Sequence, residues 1–192
     1  MLKTEEQMTR LAAITGVMLM AVAEAMAQEN RTRTARRIVV SIPDRKLAIL
    51  EEGRVLKVWS TAVGASRTPS PVGSYTVVVR VPEPTWYYKG KVVPPGKGNP
   101  LGTRWMGLSA KGYGIHGTNA PSSIGRNASH GCIRMRNRDV EELFGMVAVG
   151  DEVELYEERS EDLELIFGAM PSQLEVASAR VPVKAEAVGA GQ

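Results

Sequence analysis

A single cysteine, two histidines and two phenylalanines are all that this 192-residue chain holds of those three residue types. One cysteine excludes an internal disulfide, so stability has to come from a packed core. The length suits one domain with a real core and falls short of two once the ends are discounted. A dominant charge is also lacking. Lys and Arg number 24 against 21 Asp and Glu, and the basic residues are spread without a dense block. That excludes the footprint of a nucleic-acid reader and leaves a weak attraction to anionic polymers. No internal repeat is present. Nor is there a long hydrophobic run: the apolar stretch from Leu11 to Ala23 ends at Glu24, short of the roughly 20 residues a membrane span needs. With Lys3 and Arg10 ahead of it and Ala25-Met26-Ala27 behind, it reads as a secretory signal peptide, residues 1–27, with an n-region diluted by Glu5 and Glu6. The mature chain is then expected to be exported and to carry no membrane span. A lone thiol in an oxidising compartment risks oxidation, so its presence there calls for a reason. Reactivity is such a reason.

What is present is mostly β-prone. After a polar lead, residues 28–36, the run Arg37-Ile38-Val39-Val40-Ser41-Ile42 predicts a strand closed by Pro43-Asp44. Lys46 to Leu50 and Val55 to Val63 predict a hairpin around Glu51-Glu52-Gly53. Tyr75 to Val81 is a further strand, and Trp105 to Leu108, Tyr113 to Ile115 and Val153 to Tyr156 are shorter apolar pieces. From Pro82 to Pro100, prolines, glycines and the cluster Trp86-Tyr87-Tyr88 argue against a regular helix or central strand, leaving a functional lid or an ordinary surface loop. A helix is expected from Asn137, read as its N-cap, with Asp139, Glu141 and Glu142 near the positive dipole end. Val140, Leu143 and Phe144 form its apolar stripe and Gly145 its stop. Ser160 to Met170 allows a second short helix, and Val176 to Gln192 reads as a mobile tail. The fold expected is mainly β, a sandwich or barrel, with one or two short helices. Its catalytic unit covers residues 37–157, followed by a partly disordered extension, residues 158–192.

Both histidines precede the cysteine closely: His130 by two residues, His116 across a loop containing Gly117, Asn119, Pro121, Gly125 and Asn127. Cysteine attacks as thiolate, and its free pKa of roughly 8.5 leaves little reactive form at neutral pH without a base or positive dipole. The His116 loop is long enough to fold back onto Cys132. Gly131 lets successive backbone N–H groups converge on an oxyanion, which would make His130, Gly131 and Cys132 the donors. Arg134 follows as a planar clamp for a carboxylate. Ser129, Tyr113 and Trp86 are candidates for substrate contact, with ordinary packing as the alternative for each. Arg136 and Arg138 read as a solvated face.

Taken together, His116-Gly117-Thr118-Asn119 followed by Ser129-His130-Gly131-Cys132-Ile133-Arg134 resembles the motif of the L,D-transpeptidase catalytic domain, also called the YkuD-like domain. The resemblance runs from about Arg37 to Glu157 and includes the Thr85-Trp86 loop and Asn99-Pro100-Leu101-Gly102. It implies an L,D-transpeptidase-type β-sandwich and a two-step acyl transfer at peptidoglycan stem peptides. Cys132 would form a thioester, His116 would move the protons, and the Gly117 carbonyl would orient the imidazole where the family more often has Ser. No cofactor or metal is implied. The acceptor would be a stem amine, a wall-attached protein or water, the last giving a carboxypeptidase or hydrolase. The Ile133-Arg134-Met135 sequence points, through the same resemblance, to a periplasm. Two readings of other classes remain: a zinc hydrolase built on His116, His130 and Cys132, and a peptidoglycan-binding module without catalysis.

Overall fold

Two apolar runs without alternation, Ile38-Val39-Val40 and Leu47-Ala48-Ile49-Leu50, require strands covered on both faces, since an uncovered face would favour polar residues at every second position. A computed structural model describes residues 35–168 and meets this requirement. The signal-peptide reading, most of the polar lead and the tail beyond residue 168 lie outside the described residues.

Strand β1 (Arg36–Ser41) pairs antiparallel with β2 (Lys46–Glu51), which turns into β3 (Arg54–Ser60). The turn residues Glu52 and Gly53 have φ of 50° and 78°, the left-handed pair that matches the twist of a two-residue hairpin. The remaining strands are β4 (Val63–Gly64), β5 (Gly73–Pro82), β6 (Trp86–Tyr88), β7 (Lys91–Val93), β8 (Arg104–Leu108), β9 (Gly114–His116), β10 (Asn127–Ser129), β11 (Ile133–Arg134) and β12 (Glu152–Tyr156). Eight of them form one sheet in the order β11-β9-β8-β5-β12-β1-β2-β3. Its β1–β12 and β9–β11 pairs are parallel. Ala62, just past β3, exchanges two backbone hydrogen bonds of 2.8 Å with Arg134 of β11, so the two ends of the sheet meet at one corner and the sheet curls around its core. The mainly β expectation holds.

The inner face carries Ile38, Val40, Leu47, Ile49, Val77, Met106, Ile115, Ile133 and Leu155, all essentially buried. Each such side chain contributes about 1.5–3 kcal/mol on burial. Helix α1 (Asn137–Met146) closes this core with Val140 and Leu143. The opposite face of β1 and β2 presents Val39, Ala48 and Leu50, which helix α2 (Glu161–Gly168) covers through Leu163. The packed unit therefore extends beyond Glu157, because the outward residues of β1 and β2 need that cover.

Two local expectations need correction. Arg136, not Asn137, occupies the N-cap of α1, with no side-chain cap bond, because the Asn137 side chain is engaged elsewhere. The helix also runs through Gly145 to Met146, and the Val147 N–H closes it on Leu143 O at 3.1 Å. Within Pro82 to Pro100 the chain forms a small hairpin, β6 paired with β7. The prolines stand outside its ladder, and the Trp86 and Tyr88 rings stack at 5.5 Å. Buried Asn99 anchors its base, sharing Nδ2 among the carbonyls of Pro84, Val93 and Pro94 (2.6, 3.2 and 3.2 Å) while Oδ1 accepts from the Leu101 N–H at 2.8 Å.

Candidate active site

Strand register assembles the site. Trp105 of β8 stands opposite His116 of β9, and His116 opposite Arg134 of β11. One residue earlier along β9 and β11, Ile115 and Ile133 form the matching row with Met106, buried in the core. Side chains alternate across a sheet, so the same three strands send one row inward and deliver Trp105, His116 and Arg134 together to the other face. Cys132 sits in the turn between β10 and β11, directly before that row.

The turn is held tightly. Ala65 N–H and the Thr68 hydroxyl both donate to Ser129 O, at 3.0 Å each. The Ser129 hydroxyl donates to Cys132 O at 2.6 Å and accepts from the Gly131 N–H at 3.0 Å, a serine turn that fixes the loop around the thiol. This differs from two expectations. The Gly131 N–H is engaged within the turn and does not face an oxyanion, and Ser129 directs its hydroxyl at backbone, not outward to a ligand. Gly131 is needed for another reason: its φ is +109°, and a Cβ there would lie 2.5 Å from Tyr113 Cε1 and 3.1 Å from Pro69 O. Gly131→Ala is therefore expected to push the turn aside, lowering kcat about 100-fold through misplacement of the sulfur and the stability by about 1–3 kcal/mol. Parallel thermal melts and single-turnover rates check this, and wild-type values for both would contradict it.

His116 is buried, its ring 5.7 Å from that of Trp105. Nδ1 lies 2.6 Å from Gly117 O. A carbonyl oxygen only accepts, so Nδ1 carries the proton and Nε2 keeps its lone pair. Burial, with a smaller push from the Arg134 charge, lowers the His116 pKa to about 4 against the raising effect of the Gly117 bond. The ring is thus a neutral base at neutral pH. Burial pushes the Cys132 thiol above its ordinary range, opposed by a backbone hydrogen bond from Gly114 and by the Arg134 charge. Its Sγ lies 3.7 Å from Gly112 O. Thiol and imidazole are both neutral in the free protein, and proton transfer has to accompany attack. Iodoacetamide alkylation of Cys132 should then accelerate with pH throughout the neutral range and level off only above the usual thiol pKa. A rate already flat between pH 5 and 8 would show a preformed thiolate instead.

Arg134 is half-buried, with its Nε buried and lacking a hydrogen-bond partner among the described residues. No carboxylate forms an ion pair with it among the described residues. A guanidinium in that state is free to receive an anion. Trp86, His116, Ser129, His130, Cys132 and Arg134 line one cleft of about 700 Å³, whose far wall is formed by Tyr87 and Tyr88 of the β6–β7 hairpin together with Pro100 and Leu101. His130 is exposed at its rim. Gly117 and Gly131 lie behind the lining, and Tyr113 packs against Gly131 instead of facing the cleft. Trp105, Gly112 and Tyr88 also line the cleft without a chemical signal in the sequence: the β8–β9 register brings Trp105 there, the turn before β9 brings Gly112 and the β6–β7 hairpin brings Tyr88. Among the described residues no group of three or more His, Cys, Asp or Glu side chains converges, so His116, His130 and Cys132 do not form a zinc-ligand set. Nor is any helix there long and apolar enough to cross a membrane.

Comparison with known proteins bears on this geometry. A family model, YkuD, described as the L,D-transpeptidase catalytic domain, matches residues 35–155. A putative L,D-transpeptidase YkuD of Bacillus licheniformis is 44% identical over 119 residues, which cover 62% of this chain and 64% of that protein. The putative L,D-transpeptidase YqjB of Bacillus subtilis is 40% identical over 122 residues, covering 60% and 68%. Among solved structures, an L,D-transpeptidase from Mycobacterium tuberculosis aligns with a TM-score of 0.56 at 24% identity over 65% of this chain and 58% of that one, a likeness of fold. The chain thus spans less than two thirds of the Bacillus licheniformis relative and of the mycobacterial chain.

Proposed function

Because the chain belongs to the L,D-transpeptidase catalytic domain family, we propose that it is an exported acyltransferase acting on peptidoglycan stem peptides with Cys132 as nucleophile. The observation that carries this reading is the cleft in which Cys132, a buried His116 protonated on Nδ1, and an Arg134 with no ion pair among the described residues stand together. His116 Nε2 takes the thiol proton as Sγ attacks the carbonyl of the third stem residue, at its L-centre. The tetrahedral oxyanion is met by the backbone N–H groups of Cys132 and His130. Collapse breaks the amide bond, the imidazolium gives its proton to the departing D-alanine amine, and a thioester remains on Cys132. An acceptor amine then attacks the thioester, loses a proton to Nε2, and the thiol is restored as the new amide forms.

Arg134 holds a carboxylate of the donor beside the sulfur. Arg134→Ala is expected to lower kcat/KM about 10- to 100-fold, the worth of one or two charge-assisted hydrogen bonds. Donors whose carboxylates are amidated should close that gap between the two proteins, and an undiminished gap would place Arg134 in a purely structural role. The acceptor is an amine on a neighbouring stem or on a wall-attached protein. The relatives are named transpeptidases, which favours an amine over water. Location outside the cytoplasm, in a periplasm, fits the Lys3 to Ala27 segment and the substrate. Incubation with disaccharide-tetrapeptides, with products identified by mass, tests the reading: crosslinked dimers support it, and tripeptides without dimers would replace transfer by hydrolysis.

A further inference from the structure

The peptide group that orients His116 is itself held at its other end. Its carbonyl, Gly117 O, accepts from Nδ1 at 2.6 Å, and the N–H of the same peptide unit, on Thr118, donates to Asn137 Oδ1 at 3.0 Å. Carbonyl and amide of one trans peptide point in opposite directions and share one delocalised bond system, so a hydrogen bond accepted from the N–H makes the oxygen a stronger acceptor. The surroundings of Oδ1 are shaped to let it reach. A Cβ at Gly117 would lie 2.3 Å from it and a Cβ at Gly102 only 2.1 Å. Asn137 begins α1 yet makes no bond to the first amides of its own helix, so its placement is not explained by capping. Among the described residues, the charge that acts on His116 is that of Arg134 from β11, the Cys132 thiol lines the same cleft, and β8 contributes the neutral ring of Trp105. None of these offers a negative charge to an imidazolium.

We infer that Asn137 is a positioning residue for His116, acting through the Gly117–Thr118 peptide: Asn137 Oδ1 accepts from the Thr118 N–H, and Gly117 O thereby orients Nδ1 and supports proton uptake at Nε2. The inference rests on the reading of His116 as the base for Cys132. The relay does the work of an acidic third residue in a Cys-His pair, with a neutral amide at its end. It adds no charge to the cleft, and no bond in it breaks during turnover.

The full chain tests this through two variants. Asn137→Ala removes the acceptor, and Asn137→Asp keeps it and adds charge. For Asn137→Ala we expect kcat about tenfold lower with KM unchanged, and a His116 titration, followed by NMR of the ring, displaced to lower pH. For Asn137→Asp we expect kcat restored to within about threefold of wild type and the His116 titration displaced to higher pH. A helix or loop that merely packs less well would lower the melting temperature without moving the two titrations in opposite directions. Identical His116 titrations in all three proteins would overturn the relay, even if kcat falls. Because the titration needs no substrate, that result is separable from failure of the acyl-transfer reading, which would appear as full turnover by Cys132→Ala.

Discussion

Replacement of Cys132 by alanine is expected to lower donor turnover by on the order of 10,000-fold or more, since the proposed thioester has no other cysteine on which to form. The chain has a single cysteine. Ser129, the nearest hydroxyl in the motif, already donates to Cys132 O and accepts from the Gly131 N–H, so it cannot substitute without dismantling the turn. Donor binding should survive, because Arg134 and the walls of the cleft are untouched. Calorimetric binding combined with a product assay separates the two effects. Retained binding with lost turnover is the expected pair, whereas turnover near wild type would remove Cys132 from the chemistry.

His116→Gln has the second largest expected effect, a fall in kcat of about 100- to 10,000-fold, the usual contribution of a positioned general base. The sign of the pH dependence follows from the two displaced pKa values. With burial lowering the His116 pKa to about 4, wild-type turnover is expected to be lost only as pH falls through that value. The thiol is held above its ordinary range by burial, so without a base the reactive thiolate is scarce at neutral pH. Turnover by the Gln variant should therefore climb about tenfold per pH unit through the neutral range, while the wild-type rate stays nearly flat there. Rate profiles from pH 3 to 9 check this, and parallel profiles for the two proteins would mean that His116 does not take the thiol proton.

How far the site is legible in the sequence depends on the range of the interaction involved. Cys132, His116 and Arg134 are marked by residue type and spacing, and the β9 and β11 pairings that bring the last two side by side follow from apolar Ile115 and Ile133 having to face the core. Both-face burial of β1 and β2 is likewise written in their unbroken apolar runs, although the helix that covers them, through Leu163, lies in a weakly patterned stretch. Contacts between distant segments are harder to foresee. Asn137 has the right type for an N-cap, but a tertiary partner, the Thr118 N–H, competes for its oxygen and wins. Gly131 has the right type for an oxyanion loop, but Ser129 two residues earlier captures its N–H in a local turn. Tyr113, three residues before His116, packs against Gly131 because β9 begins one residue later and the chain is still turning. Prolines around Trp86 argue against a strand, and they do so only where they stand: β6 and β7 form between them, with Asn99 supplying the bonds that hold the hairpin's base.

The β6–β7 hairpin also shows how composition and position combine. Tyr87 is 71% exposed and Val92 60%, so the hairpin presents apolar surface to solvent beside the cleft that Tyr87 and Tyr88 line. Exposed apolar side chains gathered beside a groove are the kind of surface that marks a binding site, which agrees with the place of Tyr87 and Tyr88 in the cleft wall.

The most direct test of the account is the intact mass of the protein after brief mixing with a disaccharide-tetrapeptide and acid quench, followed by peptide mapping. The account predicts a mass increase equal to the donor less its terminal D-alanine, held as a hydroxylamine-labile thioester on Cys132 and discharged when an amine acceptor is added. No adduct under conditions that yield product, or an adduct on any residue other than Cys132, would contradict it.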